Sequence, residues 1–132
     1  MNDLLAKIQI DYPEVIFKRG ERFSFRPPKT IVIGPAEEND TLLLLHELGH
    51  YASHHKDYAT DAKRVKMERE AWDKAREFAS RYRIVFDDDV AEAEMDTYRN
   101  WLDNKSRCPI CGLSCYQSRD GKYHCPRCEN FT

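Results

Sequence analysis

The stretch Leu42-Leu43-Leu44-Leu45-His46-Glu47-Leu48-Gly49-His50 limits the folding of this chain more than any other. At 3.6 residues per turn, Leu44, Leu45, Leu48 and Ala52 lie opposite His46 and His50, and Leu42 and Leu43 flank the histidines. A helix that is apolar nearly all round is buried. The spacing predicts a helix from Thr41 to about His54, with Asn39 or Asp40 as N-cap. Two imidazoles in such a helix need partners, because a buried polar group without one is destabilising. Residues four apart share a face, so one metal ion can satisfy both. Glu47, about 100° round the helix, can reach a water on that ion. A lone buried histidine is usually satisfied by the core around it, but a pair at this spacing with a glutamate beside it fits zinc better. Gly49 is expected to let a neighbour pack closely.

The pattern is the H-E-x-x-H of zinc peptidases, in which the glutamate is the general base. Catalytic zinc usually takes a third protein ligand and leaves one position for water. A second helix is expected from about Ala62 to Tyr82, with Met67, Ala71, Trp72, Ala75, Phe78, Ala79 and Tyr82 on one arc. Glu68 falls inside that arc, where an acid wants a reason, and is the preferred third ligand. Glu70 falls outside it and is the alternative, better explained as a surface charge facing Lys74 at i+4. Lys56 stands where a metzincin pattern would place a third histidine, and Ser53 where it needs glycine. His54 and His55 come too soon on the same helix to close the site and are expected to face solvent near its negative end.

Around these helices the chain reads as short segments. Leu4 to Ile10 suggests a short helix. Val15-Ile16-Phe17 and Phe23-Ser24-Phe25 read as strands around the turn Lys18-Arg19-Gly20-Glu21. After Pro27-Pro28, Thr30-Ile31-Val32-Ile33 is a third strand, either a plain core strand or an edge that could pair with an extended peptide. Asp87-Asp88-Asp89 offers an N-cap and first-turn acids for a third main helix, Val90 to about Asn104; capping explains this run better than a calcium site.

All five cysteines lie between Cys108 and Cys128, and four form two C-x-x-C pairs, Cys108/Cys111 and Cys125/Cys128. Asp120-Gly121 between them marks a hairpin turn. Two such pairs bridged by a hairpin imply a structural tetrahedral zinc, which would supply most of the folding energy of so short a segment. Cys115 is left over as a strand residue, and His124 is not needed as a ligand. Residues 1–104 hold 16 Lys and Arg against 21 Asp and Glu, whereas residues 105–132 hold 5 against 2. Four zinc thiolates would offset most of that basic excess, which weakens a nucleic-acid reading. Tyr116, Arg119, Lys122, Tyr123, Arg127 and Phe131 could form an aromatic-basic contact surface, although a capping or protein-docking ribbon is preferred.

The stretch Ile31 to Tyr82, with its strand, loop, His46-Glu47-Leu48-Gly49-His50 helix and second helix reading Glu68-Arg69-Glu70-Ala71, resembles the ImmA/IrrE family of small zinc peptidases, and more broadly the gluzincins. The resemblance maps the third ligand onto Glu68, three residues before Ala71, and implies a zincin-like fold and peptide-bond hydrolysis. The family usually has Asn or Asp where this chain has Trp72; Asp73 is the nearest substitute.

The expectation is thus an α+β protein: a zincin-like metallopeptidase domain over residues 1–104, with a small sheet and about three main helices, then a zinc ribbon over residues 105–132. Glu47 is the expected base, His46, His50 and Glu68 the ligands of a catalytic zinc, and Cys108, Cys111, Cys125 and Cys128 those of a structural one. Tyr51, Tyr82 and Tyr98 are all available as oxyanion donors. The expected substrate is a protein or peptide. The rivals are a zinc-binding regulatory module without turnover and a nucleic-acid-associated factor binding through the ribbon. With no apolar run of membrane-spanning length and no signal-peptide pattern at the N-terminus, a cytoplasmic protein without membrane contact is expected.

Overall fold

A computed structural model describes residues 1–131, and side chains up to residue 128. The elements in order are α1 (Asn2–Asp11), β1 (Ile16–Arg19), β2 (Ser24–Arg26), β3 (Thr30–Ile33), α2 (Asp40–Ala52), α3 (Asp61–Tyr82), α4 (Asp88–Ser106), β4 (Tyr116–Gln117), β5 (Tyr123–Cys125) and β6 (Glu129–Phe131). The fold is mixed α+β with small sheets.

The first sheet corrects the expected hairpin. Its order is β1-β3-β2, with β1 parallel and β2 antiparallel to β3, so that Phe17 and Phe25 both lie opposite Ile31. The most apolar strand takes the centre: Ile31, Val32 and Ile33 are all buried. Lys18 and Arg19 are strand residues, not a turn. Past them the Gly20 N–H donates to the Ile33 carbonyl at 3.0 Å, and the chain at Arg22 and Phe23 passes directly over Gly34. A Cβ at Gly34 would overlap that backbone, so this glycine permits the crossing. The edge strands are β1 and β2; β3 is not one.

The helices form one core with this sheet. Leu44, Leu45 and Leu48 of α2 are completely buried and join Ile31 and Ile33, Leu4 and Ile8 of α1, and Trp72, Ala75 and Phe78 of α3. α4 adds Ala91 and Met95. Local caps set the boundaries: the Thr60 side chain accepts the Lys63 N–H at 3.2 Å, and Asp87 accepts the Asp89 N–H at 2.9 Å. Asp88 pairs with Arg76, so the acidic run caps and pairs. α2 is shorter than expected, ending at Ala52.

The second sheet, β4-β5-β6, is antiparallel, and its first hairpin turns at Asp120-Gly121, with Gly121 at φ 89°. Cys115 lies in the loop before β4, not in a strand. The ribbon is seated on the start of α3. Gln117 Oε1 accepts the Asp61 N–H at 2.6 Å, and the buried Asp61 carboxylate accepts the Tyr123 hydroxyl at 2.6 Å and faces Lys105 Nζ at 2.9 Å. Tyr123 is therefore a buried docking residue, not part of an open contact surface; the Phe131 side chain lies outside the described residues. Among the described residues, no helix is long and apolar enough to cross a membrane.

Candidate metal centre

α2 and α3 meet where Gly49 faces Ala71. A Cβ on Gly49 would overlap the Ala71 carbonyl, so only glycine lets the backbones come this close. The approach carries Glu68, one turn before Ala71, onto the histidine face of α2. His50 Nε2 lies 2.6 Å and His46 Nε2 3.5 Å from Glu68 Oε2, and one donor atom from each of the three falls within 4.8 Å of the others. Neither contact is an aligned hydrogen bond: Glu68 Oε2 is a buried polar atom without a hydrogen-bond partner among the described residues. Two nitrogens and an oxygen converging unpaired in an apolar interior are what a divalent ion of the zinc type takes as ligands.

The electrostatics agree with that donor set. Burial pushes the His46 imidazole below its ordinary value, against the pull of Glu68, which favours the neutral ligating form. Burial would raise Glu68, but the two imidazoles outweigh it and hold the carboxyl well below the usual range. Glu47, 7% exposed and without a side-chain partner among the described residues, is pushed up to about 8, first by burial and then by Glu68 and Glu94.

These groups open into a cavity of about 730 Å³. Phe23, with Ser24 and Phe25 of β2, lines it, as do Arg64 and Met67 of α3 and Tyr98 of α4. Of the three tyrosines, only Tyr98 lines the cavity. Burial, and then the Glu68 carboxylate, push its phenol up, and the Arg64 guanidinium lies 5.6 Å from its ring. Tyr82 donates to Asp11 at 2.6 Å and Tyr51 donates to Glu14; neither lines the cavity.

The surroundings of the histidines differ from expectation in three ways. Asp73 is exposed and does not reach His46; Trp72 itself stacks on the His46 ring, centroids 4.3 Å apart at 29°. His46 Nδ1 is left buried without a partner among the described residues, because indole offers a face there and no acceptor. Glu70 does not face Lys74, which pairs with Glu77 at 3.3 Å; Glu70 Oε1 lies 3.4 Å from His55 Nε2. And His55, expected in solvent, is buried with its Nδ1 2.9 Å from His50 Nδ1, whereas His54 is exposed. Sequence reasoning missed His55 because it lies past the last helical residue, where a wheel says nothing about direction. The available signal was histidine at His54, a residue type enriched in the left-handed conformation that turns a chain back on its helix.

The four ribbon cysteines form a second cluster, their Sγ atoms within 4.8 Å of one another. Backbone N–H groups of each knuckle favour the thiolate of its first cysteine, so Cys108 is lowered and Cys125 falls to about 6. Such a set can hold a metal ion. Cys115 points its Sγ at the Leu113 carbonyl at 3.6 Å. His124 pairs with Ser118 Oγ at 2.9 Å and stacks on Tyr116.

No protein-family model matches this chain, and neither a curated protein nor a solved structure matches it. The functional reading therefore rests on the site itself.

Proposed function

We propose that this protein is a zinc-dependent metallopeptidase of the zincin type, akin to the ImmA/IrrE peptidases, with a structural zinc in its cysteine ribbon. One observation carries the reading: His46, His50 and Glu68 converge at one point of a cavity whose wall also holds the unpartnered, buried Glu47. Zinc held by two imidazoles and a carboxylate lowers the pKa of its water towards about 7 and polarises a carbonyl oxygen.

The chain's own groups supply the rest. Glu47 takes the proton of the attacking water and passes it to the leaving amine. Tyr98 donates its hydroxyl to the developing oxyanion. The edge of β2, paired with β3 on one side only, offers backbone groups to an extended peptide. A base at position 47 has no purpose in a site that only stores metal, which favours the enzyme over a regulatory module.

The test is Glu47→Gln. The variant should keep the fold and both zinc ions and lose all cleavage of a broad peptide library and of cell-lysate proteins. Wild type and variant giving the same cleavage pattern would reject the peptidase reading.

A further inference from the structure

We propose that His55 and Glu70 are positioning residues for the metal ligand His50, fixing its proton on Nδ1 and turning its Nε2 lone pair into the cavity. This rests on the reading of His46, His50 and Glu68 as a metal site.

The geometry begins with how α2 stops. His54 adopts φ 57°, its N–H donates to the Tyr51 carbonyl at 3.0 Å, and the His55 N–H donates to the His50 carbonyl at 3.1 Å. This is a Schellman ending, which lays the residue after the left-handed position over the residue five before it. That contact is ordinarily apolar. Here it joins two imidazoles, ring centroids 5.1 Å apart, with Nδ1 facing Nδ1 at 2.9 Å.

Two lone pairs cannot face each other at that distance, nor can two N–H groups, so one of the two Nδ1 atoms carries a hydrogen. Glu70 decides which. His55 Nε2 is buried with no aligned partner among the described residues, and Glu70 Oε1 lies 3.4 Å from it. A carboxylate only accepts, so the His55 hydrogen sits on Nε2 and its Nδ1 becomes the acceptor. His50 then donates from Nδ1, and its Nε2 is bare. That bare nitrogen and Glu68 Oε2, 2.6 Å apart, are then both acceptors, a pair that a bound cation would take as ligands. The order Glu70, His55, His50 thus reaches from the surface of α3 to the ligand set, where most zinc histidines are held by a single carboxylate or carbonyl.

The experiment measures Zn²⁺ affinity of the full chain by chelator competition, with the electronic spectrum of the Co²⁺-substituted protein as a second readout. His55→Phe keeps the ring shape but has no acceptor; it should bind the non-ribbon ion about 10- to 100-fold more weakly and shift the Co²⁺ bands, leaving the ribbon ion unchanged. His55→Gln, whose amide oxygen can accept from His50, should recover most of the affinity. Glu70→Ala, which leaves the His55 Nε2–H without an acceptor, should weaken binding by a smaller factor. Wild-type affinity and spectrum in His55→Phe would overturn the proposal. Should His55→Phe fail to fold, Glu70→Ala decides alone, since its side chain is partly exposed and alanine offers His55 no acceptor, and an unchanged affinity and spectrum there overturn it. A wild type that binds only the ribbon ion would instead reject the underlying metal site.

Discussion

Gly49 of α2 rests directly against the backbone carbonyl of Ala71 on α3, with no room for a methyl group between them. The contact sets the separation of the two helices that carry His46, His50 and Glu68. Gly49→Ala must therefore push the helices apart or strain the Ala71 peptide, neither of which is a flexible side chain that can swing away. Overpacking of this kind costs about 1–3 kcal/mol. Thermal unfolding should show that loss, and metal analysis should show the non-ribbon site partly emptied at limiting zinc while the ribbon site stays filled.

Glu68 and Glu70 are two residues apart on α3 and meet different histidines. Glu68 reaches the imidazoles of both His46 and His50, whereas Glu70 meets only the outer His55. At saturating zinc the wild type should bind two ions per chain, Glu68→Ala one and Glu70→Ala still two. Loss of an ion in Glu70→Ala, with Glu68→Ala unaffected, would reverse the ligand assignment.

The difference between these acids was readable beforehand for a physical reason. Glu68 shares an arc with Met67, Ala71 and Ala75, and an acid on an apolar stripe implies a partner. α2 was readable on the same grounds, because its leucines leave no face for water. What could not be read lies outside helical periodicity. His55 depends on one left-handed residue, His54, and its partner Glu70 comes from another helix. The strand order depends on a chain crossing at Gly34, whereas a local reading of two short strands and a glycine-containing turn favours a hairpin. Tyr51, Tyr82 and Tyr98 are equivalent in composition and separate only once Asp11 and Glu14 are seen to occupy two of them.

Of Tyr51, Tyr82 and Tyr98, it is Tyr98 that shares the cavity with Glu47 and Glu68. Tyr98→Phe should retain both metal ions and lower peptide turnover by roughly 10²–10³, the usual effect of removing an oxyanion donor. Tyr82→Phe removes a hydrogen bond to the Asp11 carboxylate at the far end of α3. It should lower stability by about 1–3 kcal/mol and leave turnover alone. Equal turnover in Tyr98→Phe and wild type would remove Tyr98 from the chemistry.

The ribbon's hold on α3 gives a last prediction. Burial alone would raise the Asp61 carboxyl, but the Tyr123 hydroxyl and Lys105 ammonium outweigh it and hold it below the ordinary aspartate value. A carboxylate lowered in this way stabilises the fold fully above its unfolded value, near about 4, and loses that contribution as pH falls through its folded value. At pH 7 the contribution is complete, so Tyr123→Phe should cost about 1–3 kcal/mol in urea unfolding there. Cys125→Ser breaks the four-cysteine set and should also destabilise, because the ribbon has little core of its own. The two changes should be less than additive in combination, since a ribbon whose four-cysteine cluster is broken would not present Tyr123 to Asp61. Full additivity would show that docking is independent of the four-cysteine cluster. Glu68 lies seven residues along the helix that Asp61 starts, roughly 10 Å away. Loss of docking should therefore also appear as faster amide exchange in the first turns of α3, on the approach to Glu68.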